Sequence, residues 1–119
     1  MTTVLVVDDE PGMRETLTDI LEDAGYAVVV ASDADSAMAA YRREPVDVVV
    51  MDVRMPGRDG VSVLQEMNGP PPNVIMMTAY AVEERWREAM ASRAYAMVHK
   101  PFQARYLLSL VESATGRPA

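Results

Sequence analysis

Five short apolar runs do most to limit what this chain can fold into: Thr3–Val7 (TVLVV), Tyr26–Ala31 (YAVVVA), Val46–Met51 (VDVVVM), Val74–Met77 (VIMM) and Tyr95–Val98 (YAMV). Most are continuous rather than alternating and rich in valine, the pattern of strands covered on both faces. Between and after them the apolar residues switch to a helical period. Met13, Leu17, Ile20, Leu21 and Ala24 form one stripe, Val82, Trp86, Ala89 and Met90 a second, and Ala104, Leu107, Leu108 and Val111 a third, each with the spacing of one helix face. Asp33–Arg43 and Val61–Met67 read as two more helices. Gly25 is placed as a C-terminal cap, Pro45 ends the second helix, and NGPPPN is a stiff loop before the fourth strand. Strand and helix thus alternate five times, which predicts an α/β fold with a parallel sheet, right-handed crossovers and helices on both faces.

The chain has 119 residues, the size of one domain with a real core, so a single domain over 1–119 with its core at about 3–115 is expected, without an output domain. With 11 Lys+Arg against 18 Asp+Glu the net charge is −7, which argues against a nucleic-acid or anionic-membrane surface. There is no cysteine and a single histidine, His99, so any metal must be held by oxygen. The N-terminus lacks a basic and then apolar leader, and no apolar stretch approaches the ~20 residues that cross a bilayer. A soluble, cytoplasmic protein is the expectation.

In open parallel sheets function collects at the carboxyl ends of the strands. The first run ends in Asp8-Asp9-Glu10, the third in Asp52, the fourth in Thr78-Ala79 and the fifth in His99-Lys100-Pro101. In a flavodoxin-like, doubly wound (βα)5 fold of strand order 2-1-3-4-5, strands one and three are neighbours at ~4.8 Å. The acidic pair and Asp52 then converge, and two carboxylates at ~4 Å repel by about 4 kcal/mol at an effective dielectric of 20. Lys100 supplies one positive charge against three negatives, and a divalent cation fits the remainder. Carboxylate donors without His or Cys favour Mg2+, Mn2+ or Ca2+, and a site with so few carboxylates that keeps its waters suits Mg2+ best, with Mn2+ as a substitute. A metal beside a lysine and a threonine hydroxyl can receive a phosphoryl group, and a neighbouring aspartate can be its nucleophile.

These residues resemble, in order and spacing, the receiver domains of two-component response regulators. The resemblance runs from Val4 to about Val111 and rests on Asp8-Asp9, on DVRMPGRDG with Asp52, Pro56 and Gly60, on MTAY with Thr78, and on KPF with Lys100. It implies that Asp52 accepts a phosphoryl group from a sensor histidine kinase. Asp9, the Asp52 side chain and the Arg54 carbonyl would bind Mg2+ directly, with Asp8 acting through water. Thr78 and Lys100 would contact phosphoryl oxygens, Thr78 moving inward, and the Lys100-Pro101 bond is expected to be cis. Small Ala79 would leave the acceptor accessible, while Arg54 and Tyr80 would tune the lifetime of the phosphoryl group. The domain would catalyse its own phosphorylation and dephosphorylation and bias the face of its fourth helix, fifth strand and fifth helix. That face would address an output domain or effector protein, with a phosphorylation-linked homodimer as a further partner.

The chain departs from the family before the lysine. It reads RAYAMVHK, so Arg93 stands where glycine is usual and Met97 replaces the switch aromatic. Met97, flexible and polarizable, is the candidate substitute, with Tyr95 assisting from the same strand face by alternation.

Blander readings bear on several of these residues. Asp8-Asp9-Glu10 before a helix also suits N-terminal capping, His99 suits a surface strand position, and the ten methionines suit gap-filling core. Trp86 fits helix packing, and the charges of Glu83–Glu88 fit a solvated helix face. Two other function classes compete. A Mg2+-dependent phosphohydrolase with an aspartyl-phosphate intermediate would carry Asp-x-Asp and a cap insertion, against the adjacent Asp8-Asp9 here. A flavodoxin-like nucleotide binder would want a Gly- or Ser/Thr-rich loop after the first strand, where DDEPG stands.

Overall fold

A computed structural model describes residues 2–55, 60–67, 73–79 and 94–116. The helix expected around Val82–Met90, with Trp86 and the Glu83–Glu88 charges, lies outside them, as do Pro56, Tyr80, Arg93 and most of NGPPPN. The described elements are β1 (Thr3–Val7), α1 (Pro11–Asp23), β2 (Ala27–Ala31), α2 (Ala34–Arg43), β3 (Val48–Asp52), α3 (Gly60–Glu66), β4 (Asn73–Thr78), β5 (Ala96–His99) and α4 (Ala104–Thr115). The five strands form one parallel sheet in the order β2-β1-β3-β4-β5. This is the doubly wound arrangement that the continuous apolar runs predict.

Strand alternation divides the core in two. Leu5, Val7, Val49, Met51, Val74, Met76 and Met97 face α2 and α3, which contribute Ala34, Ala37, Met38, Ala40, Val63 and Leu64. Val4, Val6, Val48, Val50, Ile75, Met77 and Val98 face the other way, onto Leu17 and Leu21 of α1 and Leu107 and Val111 of α4. Central β3 is buried throughout, which is why its sequence shows no polar face.

Most differences from the sequence reading lie at element ends. Tyr26 is not the first residue of β2: its amide donates to the Leu21 carbonyl at 3.0 Å and that of Gly25 to Glu22 at 3.0 Å, with Gly25 at φ 98. That pair of reversed bonds is a Schellman close of α1, for which glycine is suited because it carries no Cβ. Val46 and Asp47 fall outside β3, because the Asp47 carboxylate accepts the Thr3 amide at 2.8 Å. Glu44 before Pro45 is extended, as a residue preceding proline must be. Ala104 of the third stripe is exposed, since it is the first residue of α4 and has no turn before it to pack against the sheet. Among the described residues no helix is long and apolar enough to cross a membrane.

Candidate functional site

The carboxyl ends of β1, β3 and β5 bring three of the expected residues into direct contact. Lys100 Nζ donates to Asp8 Oδ2 at 2.9 Å and to Asp52 Oδ2 at 2.7 Å. Each acid is held at its other oxygen by a nearby backbone amide: Glu10 N donates to Asp8 Oδ1 and Arg54 N to Asp52 Oδ1, both at 2.9 Å. Asp8 is fully buried, Asp52 is 7% exposed, and Asp9 stands exposed beside them. The acids are therefore not an ordinary helix cap. Glu10 occupies the N-cap of α1 and makes no side-chain capping bond.

Lys100 follows β5, its amide donates to the Thr78 carbonyl at 2.7 Å, and its bond to Pro101 is cis as expected. Thr78 closes β4 as a buried residue. The Arg54 amide serves Asp52 while its side chain points outward. Met97 is buried against the α2 and α3 side and pairs with Met76 in register. Tyr95 does not join it. It lies exposed one residue before β5, and its hydroxyl donates to the Ser113 hydroxyl of α4 at 2.9 Å.

Arg14 stands outside the residues that the sequence singles out. From the first turn of α1 its Nη1 donates to the Asp8 carbonyl at 2.7 Å, placing a second cation behind the acids. A helical side chain leans toward the helix N-terminus, and that geometry was the available signal.

Burial is the largest influence on Asp52 and raises its pKa above the ordinary 3.8; the Lys100 and Arg54 hydrogen bonds work against it without cancelling it. On Lys100 burial is again the largest single influence and lowers the pKa, but the hydrogen bonds and charges of Asp52 and Asp8 together outweigh it, leaving the amine above 10.5. Asp8, Asp9 and Asp52 each offer a carboxylate oxygen, all within 4.8 Å of one another. Three carboxylates facing one ammonium, with only oxygen donors, suit a hard divalent cation.

A family profile, "Response regulator receiver domain", matches residues 4–112. This chain belongs to that family. Among curated proteins the receiver is 40% identical over 110 residues to the response regulator protein FleR of Pseudomonas aeruginosa, covering 91% of this chain and 23% of FleR. It is 35% identical over 113 residues to the transcriptional regulatory protein FixJ of Bradyrhizobium diazoefficiens, covering 93% of this chain and 55% of FixJ. It thus spans about a quarter of one relative and about half of the other. Among solved structures, a response regulator receiver domain protein (CheY-like) from Methanospirillum hungatei superposes with a TM-score of 0.92 at 27% identity, covering 98% of this chain and 94% of that one.

Proposed function

We propose that this receiver is a phosphoacceptor switch: Asp52 takes a phosphoryl group from a phosphohistidine of a sensor histidine kinase in a Mg2+-dependent reaction. The observation that carries the reading is the single ammonium of Lys100 bonded at once to Asp8 and Asp52. Asp9, Asp52 and the Arg54 carbonyl are the residues that would hold Mg2+, with Asp8 through water, and the cation would supply charge neutralisation for the phosphoryl oxygens.

In the transfer a carboxylate oxygen of Asp52 forms the new bond to phosphorus. The phosphorus–nitrogen bond to the donor histidine breaks, and the imidazole leaves with the electron pair. Lys100 balances the added negative charge, and the buried walls around Asp52 strengthen that attraction by excluding water. Thr78 offers its hydroxyl to a phosphoryl oxygen. A two-state shift involving Thr78, β5 and α4 then passes the change on, with Met97 in place of an aromatic switch residue and Tyr95 assisting through α4. The receiver's place is the cytoplasm, its output an attached domain or effector protein such as a transcription regulator, and its own surface does not bind nucleic acid.

Radiolabel from a phosphorylated kinase should appear on wild type and be absent from Asp52→Asn. Equal labelling of the two would reject the assignment. Met97→Ala should weaken the phosphorylated form's affinity for its effector, and unchanged affinity would remove Met97 from the switch.

A further inference from the structure

Gly60 opens α3, and its amide donates to the Val53 carbonyl at 2.7 Å, returning the chain to the residue after Asp52. A Cβ built on Gly60 would overlap the backbone carbonyl oxygen of Asp52, approach its carbonyl carbon to 3.2 Å, and meet Met76 Cε at 2.8 Å. These contacts differ in kind. Met76 Cε ends a side chain with three rotatable bonds and can swing aside. The Asp52 carbonyl belongs to the residue whose carboxylate does the chemistry.

We propose that Gly60 is a positioning residue for Asp52. Its missing side chain lets the start of α3 rest against the Asp52 carbonyl, and this seat keeps the carboxylate where it meets the Arg54 amide at 2.9 Å and Lys100 at 2.7 Å together. The inference rests on Asp52 as phosphoacceptor. An added methyl forces the start of α3 and the Asp52 peptide apart, because the atoms it meets there are backbone and cannot rotate away as a side chain can. A misplacement on the order of 1 Å at a reacting group costs up to about 100-fold in rate.

The test compares wild type, Gly60→Ala, Met76→Ala and Gly60→Ala/Met76→Ala. Each is labelled by a small acyl phosphate at saturating Mg2+, with thermal unfolding and the Arg54 amide NMR shift recorded alongside. Gly60→Ala should unfold cooperatively, move the Arg54 resonance and label at least about tenfold more slowly at saturating donor, with half-saturation within about twofold of wild type. Removing the Met76 side chain should not restore the rate. If Gly60→Ala alone does not fold, the double variant is read against Met76→Ala by the same measures.

Labelling of Gly60→Ala within about twofold of wild type, or recovery in the double variant, overturns the proposal. So does failure of both Gly60 variants to fold, which would make Gly60 a requirement of the fold and not of the carboxylate's aim. Asp52→Asn keeps the two readings apart. If it labels like wild type the phosphoacceptor reading falls, whereas a blank Asp52→Asn beside a normal Gly60→Ala removes only the positioning role.

Discussion

Toward α2 and α3 the sheet presents Met51, Met76 and Met97 beside Leu5, Val7, Val49 and Val74, joined by Met38 and Met55, whereas toward α1 and α4 it presents the β-branched Val4, Val6, Val48, Val50, Ile75 and Val98, with Met77 the one buried methionine there among the described residues. Strand alternation carries this difference to the carboxyl edge. Asp8, Asp52 and Lys100 continue the positions of Val6, Val50 and Val98; Thr78 continues that of Met76. β-Branched side chains are stiff at χ1, and methionine fills space through three soft torsions. The groups that hold fixed charges together thus extend the stiff face, and the hydroxyl proposed to move extends the compliant one. That division would suit the proposed switch: a rearrangement on the methionine side could be absorbed by rotamer changes without disturbing the charge cluster.

The largest expected effect tests this difference directly. Leu107→Ala, on the stiff face, should cost about 4 kcal/mol, and Met38→Ala, on the compliant face, about 2 kcal/mol, because a cavity edged by methionines collapses further. Urea unfolding measures both. Equal losses would mean that the two faces differ in composition and not in mechanical character.

Next in size is Lys100→Ala. It leaves Asp8 and Asp52 facing one another without their shared ammonium, and breaking a pair this enclosed costs about 3 kcal/mol. Added Mg2+ should return more stability to this variant than to wild type, since the cation replaces the lost charge. A loss that Mg2+ leaves untouched would show that Lys100 serves packing and not charge balance. The wild-type pair also carries a pH signature. Lys100 is held above 10.5, so its contribution is fully present below that value and is lost as pH rises through the higher folded value.

Much of this was legible in advance, for definable reasons. Continuous Val-rich runs have one good solution, a strand buried on both faces, and β1 coincides with the TVLVV run residue for residue. The convergence of Asp8, Asp52 and Lys100 followed from chain order plus strand order. What escaped were effects that depend on neighbours distant in sequence. Asp47 looks like a strand residue until Thr3 is seen to donate to it. Tyr95 looks like a partner of Met97 until its hydroxyl is found with Ser113. Arg14 and the tight seat at Gly60 are contacts to backbone carbonyls, and a carbonyl leaves no mark on composition or periodicity.

A smaller effect of opposite sign is expected at Asp52. Its pKa is raised, chiefly by burial, so its contribution to stability is fully present below pH 3.8 and is lost as pH rises through the raised folded value. At neutral pH the ionised carboxylate therefore costs stability. Asp52→Asn without divalent cation should raise stability slightly, read as a higher melting temperature. A Mg2+ concentration 100-fold above its dissociation constant should stabilise wild type by about 2.7 kcal/mol and the variant by less. A destabilised Asp52→Asn would mean that its hydrogen bonds outweigh its desolvation.

The smallest effect concerns how helices on the two sides begin. On the stiff side Glu10 leaves the N-terminus of α1 without a side-chain cap, and Asp8 beside it is committed to Lys100. On the compliant side Asp33 caps α2 in a reciprocal box with Ser36, accepting the Ser36 amide at 2.8 Å. α2 buries three alanines and Met38, so most of its core contact comes from small side chains and its first turn is fastened locally by the cap. The Ser36 amide is the main reason the Asp33 carboxyl lies below its ordinary 3.8. The sign follows: the cap's contribution is present above pH 3.8 and fades as pH falls through the lowered folded value. Asp33→Ala should therefore destabilise slightly at pH 7, Asp33→Ser should recover most of that loss, and the gap between wild type and Asp33→Ala should narrow below pH 3.8. A gap independent of pH would assign the cap to hydrogen-bond geometry alone, and would leave α2 held by its alanines and Met38 after all.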